Sequence, residues 1–189
     1  MAQHGAACRT TGPPAGSDVL TLALRLVISG VRGRLNECYS QSEVGVPNVS
    51  KSVTVNRAAA EVIEYIADVS NHPAFIGPLK SVSDLSGDPR KPATSWTWVF
   101  VMAGVEISGF AETIKYEPAR LFSYRTTSGA LSTFEYSAAS QGDGTRVTIN
   151  VTYEIPEGLL GKVQAPVVER LNDLDGQRAV DNLKVILDA

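Results

Sequence analysis

Ser95-Trp96-Thr97-Trp98-Val99-Phe100-Val101-Met102 alternates without a break, so Trp96, Trp98, Phe100 and Met102 share one face of an extended chain. The segments downstream repeat the strand pattern. Ala103-Gly104 is a tight-turn pair leading into Val105–Tyr116, and Glu117-Pro118-Ala119 turns into Arg120–Thr127. Ser128-Gly129-Ala130 leads into Leu131–Ala139, and Gln141-Gly142-Asp143-Gly144 is a hairpin signal before Thr145–Ile155. Upstream, Leu79–Leu85 reads as a strand closed by the loop Ser86–Pro92. The centre of the chain is thus a series of hairpin-linked strands.

Helical patterns flank this series. Val49–Val55 alternates as a half-buried strand, and Asn56 is placed to cap a helix whose stripe is Ala59, Val62, Ile63, Ile66 and Val69. Asp68–His72 breaks that helix, and Pro73 starts a very short second one through Phe75-Ile76. After Pro156-Glu157-Gly158 the period becomes helical to the end, with Leu160, Val163, Val167, Leu171, Leu174, Ala179, Leu183, Ile186 and Leu187. Pro166 and Gly176 interrupt it, which leaves one kinked helix or two pieces open. Strands in series followed by a helix indicate an α+β fold with an antiparallel sheet. To hide the apolar face of one long helix, such a sheet must curl around it.

Composition sets further bounds. The 189 residues are 43% hydrophobic and 20% charged, enough for one domain with a core of its own. A net charge of −3 without a Lys/Arg run gives no reason to expect nucleic acid as a partner. Cys8 and Cys38 both fall in the first forty residues, so no disulfide can staple the main body. No apolar run approaches the roughly 20 residues that span a bilayer, and a cytoplasmic location is expected.

Residues 1–48 differ in kind from the 49–189 domain. Met1–Ser17 is rich in Gly, Ala, Pro and Thr and is expected to be disordered; residues 18–31 read as a short amphipathic helix with Thr21, Arg25 and Ser29 on its polar stripe. A secretory signal is disfavoured by Arg25 within the apolar run. A membrane-surface or organelle-targeting helix is a second reading. A tail docked on its own domain, or an extension without function, is favoured.

Tyr65-Ile-Ala-Asp-Val-Ser-Asn-His-Pro-Ala-Phe75, Tyr116-Glu-Pro-Ala-Arg-Leu121, Gly144-Thr-Arg-Val-Thr148, Gly158-Leu-Leu-Gly161 and Asn182-Leu-Lys-Val-Ile-Leu187 come in an order that resembles the START-like (SRPBCC) polyketide cyclase/dehydrase and lipid-transport family. The resemblance spans Val49 to Ala189, and the ordered set carries it. It implies a helix-grip fold: a curved antiparallel sheet wrapped on a long C-terminal helix, with two short helices after the first strand and a cavity inside.

The chain has no Gly-x-Ser-x-Gly elbow, phosphate loop or His-Glu-x-x-His. Its histidines are His4 and His72, so a metal centre of His and Cys is not expected, nor is a cofactor. His72 is read as a loop residue helping to cap the short helix before Pro73, in preference to a proton carrier. A cavity would be lined by Trp96, Trp98, Phe100 and Met102, by Phe110, Tyr124, Phe134, Tyr136 and Tyr153 from neighbouring strands, and by Val167 and Leu171 from the helix. A bulge near Gly109 would let Phe110 turn inward. Binding or transport of a hydrophobic small molecule, whether lipid, isoprenoid or polyketide-like, is the leading function. The alternatives are a cyclase or dehydratase using Glu106, Glu112, Arg125, Tyr136 or Tyr153, and a membrane-associated carrier docking through the N-terminal helix. The oligomeric state stays open.

Overall fold

Val49, Val53 and Val55 point their side chains inward from β1 (Asn48–Val55), which lies antiparallel to β7 (Gly144–Tyr153), the last strand in the chain. The structure is a computed structural model and describes residues 47–102, 104–154 and 164–189. Readings of the N-terminal helix and tail, and the Leu160 and Val163 part of the C-terminal stripe, lie outside them. Between β1 and β7 in sequence come β2 (Leu79–Ser83), β3 (Ser95–Met102), β4 (Val105–Glu117), β5 (Leu121–Thr126) and β6 (Ser132–Gln141). The seven form one antiparallel sheet in the order β1-β7-β6-β5-β4-β3-β2, curled into a half-barrel. Hairpins join the strands from β3 to β7. Gly104 at φ +79° and Gly142 at φ +59° take turn conformations that a side chain rarely adopts.

Helix α1 (Ala59–Ala67) buries Val62, Ile63 and Ile66 completely. Its N-cap is Ala58, not Asn56; the Asn56 backbone N–H instead donates to Asp188 Oδ1 at 2.7 Å. A single 3₁₀ turn (Val69–Asn71) and α2 (His72–Phe75) complete the segment. The loop after α1 supplies its C-terminal hydrogen bonds. Asn71 Nδ2 donates to the Tyr65 carbonyl at 2.9 Å, and the His72 ring bonds the Ile66 carbonyl at 2.8 Å. His72 therefore caps the helix before it rather than the short one it begins.

The C-terminal helix α3 (Ala165–Asp188) is continuous over 24 residues. Pro166 sits in its first turn, where a missing N–H costs nothing. Gly176 is a point of close approach: a Cβ there would come within 2.6 Å of Val49 Cγ1 on β1. The inward track of α3 is Val168, Asn172, Asp175/Gly176, Ala179, Leu183 and Leu187. Up to Leu174 this is out of phase with the apolar stripe read from sequence, and from Ala179 to Leu187 the two agree. Val167 is 48% exposed and Leu174 42% exposed, and Leu171 is half-buried. The phase is fixed by the Gly176 contact, by fully buried Val180 and Leu183, and by bonds at the C-terminal end. There Arg57 Nε donates to the Leu187 carbonyl at 2.6 Å and Lys184 Nζ to the Thr54 carbonyl at 2.9 Å.

Gly176→Ala tests this close approach. On an open helix face the change would add up to about 1 kcal/mol from helix propensity. Here overpacking against Val49 is expected to outweigh that gain, lowering stability by about 1–2 kcal/mol in urea unfolding. Adding Val49→Ala should recover part of the loss, so that the double-mutant cycle shows coupling.

Candidate functional site: a cavity between sheet and helix

Register decides which side chains meet inside. β3 and β4 pair without interruption from Ser95↔Glu112 to Met102↔Val105. Trp96, Trp98, Phe100 and Met102 therefore lie beside Ala111, Gly109, Ile107 and Val105 on the concave face. The register shift in β4 falls between Thr113 and Lys115, five residues beyond the expected bulge at Gly109. Phe110 consequently keeps the opposite parity and is 58% exposed, so its expected place in the cavity is corrected. Gly109 is glycine for a packing reason, because a Cβ would meet the Ser128 carbonyl at 2.2 Å and Trp98 Cζ2 at 2.8 Å.

Two hollows lie between the concave face and the helices. The larger, about 90 Å³, is walled by Phe100, Met102, Phe134, Ile149 and Val151 from the sheet and by Ile76, and roofed by Asn172, Asp175, Gly176 and Ala179 of α3. That is room for roughly six water-sized spheres. Ser132, Tyr153, Asn172 and Asp175 are the polar members of its lining, and Tyr136 closes its inner side. Ser132 and Tyr153 are directly opposed across β6 and β7. The smaller hollow, about 30 Å³, is bounded by His72, Leu79, Val82, Trp96, Trp98, Tyr124 and Thr126. Phe134 belongs to both and divides them; its ring stacks on Tyr124 with centroids 4.6 Å apart.

Of the side chains expected to line a cavity, Phe100, Met102, Phe134, Tyr136 and Tyr153 face the larger hollow. Trp96, Trp98 and Tyr124 face the smaller one, with Phe134 shared. Val167 and Leu171 line neither, because of the phase of α3 described above. In their place stand Asn172 and Asp175, which sequence reasoning passed over because neither is large and apolar, with Gly176 and Ala179, which it read as an interruption and a stripe residue of the helix. The signal that could have found them is the short, polar interruption of an otherwise apolar helix.

Electrostatics divide inside from outside. Glu106 pairs with Lys80 at 2.7 Å, both more than half exposed, and Glu112 pairs with Arg125 at 2.6 Å. All four sit on the outer parity of the sheet, away from the hollows. Burial pushes the Tyr136 phenol up, and burial and the neighbouring Tyr136 push Tyr124 well up. Burial also raises Tyr153, opposed by a hydrogen bond from Asn172. These phenols stay protonated near neutral pH. Trp98 Nε1 is buried and has no hydrogen-bond partner among the described residues. No group of three His, Cys, Asp or Glu among the described residues is placed to hold a metal. No described helix is long and apolar enough to cross a membrane.

A curled sheet gripping a C-terminal helix over an apolar hollow defines the helix-grip class of START-like proteins. Residues 46–187 match the family described as polyketide cyclase / dehydrase and lipid transport, and the chain belongs to that family. No curated protein sequence matches it. Among solved structures, a Thermus thermophilus protein, TTHA0849, superposes with a TM-score of 0.64 at 18% identity, over 75% of this chain and 97% of that one. A START superfamily protein from Mycobacterium smegmatis gives 0.61 at 16% identity, over 74% and 96%. The Zhui aromatase/cyclase of a Streptomyces species gives 0.57 at 16% identity, over 74% and 92%. At these identities the likeness is one of fold.

Burial sets the chemistry of His72. The ring is 1% exposed and packed among Phe75, Phe122, Tyr124 and Tyr136. Desolvation lowers its pKa to about 4, against a raising effect of the Ile66 bond. A carbonyl can only accept, so Nε2 carries the proton of the neutral ring. The stability this gives is complete above the unfolded-state value near 6.5 and is lost as pH falls from there to about 4. The loss is expected to reach about 3 kcal/mol. Urea unfolding between pH 7.5 and 4 should show that slope, and His72→Gln, which keeps a donor but cannot titrate, should flatten it.

Proposed function

We propose that the chain binds a hydrophobic small molecule of lipid, isoprenoid or polyketide-like character between sheet and α3, as a carrier or sensor. The observation that carries this reading is the 90 Å³ hollow beneath Asn172, Gly176 and Ala179, walled by Phe100, Met102 and Val151. Apolar walls with a few polar groups at one place are what small-molecule sites need. Each Å² of ligand surface buried there contributes about 25 cal/mol. Membership of a family that includes lipid transport agrees with it.

The cyclase or dehydratase reading needs an acid or base in the cavity with a shifted pKa. Glu106, Glu112 and Arg125 are paired on the outer face, and the cavity phenols Tyr136 and Tyr153 are held in their protonated form. This arrangement supports orientation of a ligand by hydrogen-bond donors better than proton abstraction from it.

The neutral probe N-phenyl-1-naphthylamine should bind the purified chain saturably, with a rise in fluorescence. Ala179→Phe fills the hollow from the helix and Val151→Phe fills it from the sheet. Each should weaken binding at least tenfold while the chain still unfolds cooperatively. Unchanged affinity in both folded variants would place the probe elsewhere and remove the proposal.

A further inference from the structure

Phe134 stands where the two hollows meet, and among the described residues it alone lines both. Register places it between Tyr124 of β5, which faces the smaller hollow, and Val151 of β7, which faces the larger. On β3 the same boundary falls between Trp98, on the smaller side, and Phe100, on the larger. A single side chain thus separates the two spaces.

The ring is held in that place. It lies on Tyr124 with an interplanar angle of 12°, and Tyr124 is itself buried and braced edge-on by Trp96. Behind it the smaller hollow offers about 30 Å³. That is room for roughly two water-sized spheres, too little for a phenyl ring to swing into. A ligand beneath α3 therefore meets a fixed wall on this side. The larger hollow has room for a body the size of one ring or of a chain of about six carbons. Whatever exceeds that length stays outside and adds no buried apolar surface.

We infer that Phe134 sets the reach of the site, so that the ligand buries a compact apolar body of about six non-hydrogen atoms and a long acyl chain gains nothing from its added length. This rests on the cavity-binding reading above and adds the size class of the ligand to it.

A homologous series measures the reach. 1-Alkanols from butanol to dodecanol are used at pH 7 to displace N-phenyl-1-naphthylamine, whose phenyl ring is of the size the hollow takes. In the unaltered chain affinity should rise about fourfold per methylene and then level off. The levelling should come at about six to eight carbons. Phe134→Ala joins the two hollows and should move the levelling point about two or more carbons further. Adding Val82→Phe, which fills the smaller hollow from β2, should move it back. Phe134→Leu should give a shift in the same direction, and it decides the matter should Phe134→Ala not unfold cooperatively. Three results overturn the inference while naphthylamine binding keeps the cavity reading intact: affinity that climbs evenly through dodecanol in the unaltered chain, a levelling point unmoved in a folded Phe134 variant, or alkanols that leave the naphthylamine in place. Failure of the naphthylamine itself to bind the folded, unaltered chain overturns both.

Discussion

The molecule depends on how α3 meets the sheet. From Ala179 to Leu187 the inward side chains are apolar and buried, and the helix is pressed onto β1 and α2. One turn earlier the same track carries Asn172, Asp175 and Gly176, which are short or polar. Gly176 lets the backbone come close to Val49, so the helix cannot pivot away. The apolar sheet residues opposite, Phe100, Met102 and Val151, then have too little side chain above them to fill the space. A close contact and an open hollow are thus consequences of the same three residues.

The aromatic side chains pack the rest of the interior ring against ring. Tyr124 stacks on Phe134, meets Trp96 edge-on at 5.3 Å and lies 5.5 Å from His72, so the wall between the two hollows is a continuous set of rings. His72 joins this set to the end of α1 through the Ile66 carbonyl. Because that ring must stay neutral, the helix cap and the cavity wall respond to the same protonation event. Trp98 is held between Gly109 and Gly129, at positions where a side chain on either glycine would collide with the indole. Its N–H has no hydrogen-bond partner among the described residues, so packing takes precedence over hydrogen bonding at this point.

Period-two alternation made the sheet legible, since Trp96 to Met102, Phe122 and Tyr124, and Val147 to Tyr153 each declare one face without tertiary information. Strand order followed from hairpin turns such as Gln141–Gly144. The phase of α3 was not legible in the same way. Over the first half of the helix Val167, Leu171 and Leu174 are a more apolar stripe than Val168, Asn172 and Asp175, and contacts with β1 choose between them. For the same reason nothing in the apolar pattern marked Asn172 and Asp175 as lining residues. Phe110 was misplaced because glycine in a strand signals either a bulge or a close approach, and at Gly109 the neighbouring indole and the Ser128 carbonyl make it the latter.

Xenon tests whether the space under α3 is a real, apolar hollow, because apolar cavities of this kind take up the gas without needing a polar partner. A crystal of the chain pressurised with xenon should show a bound atom between Met102, Val151 and Ala179. An interior without xenon at that place would mean that sheet and helix close on each other, and the account of this protein as a binding fold would be contradicted.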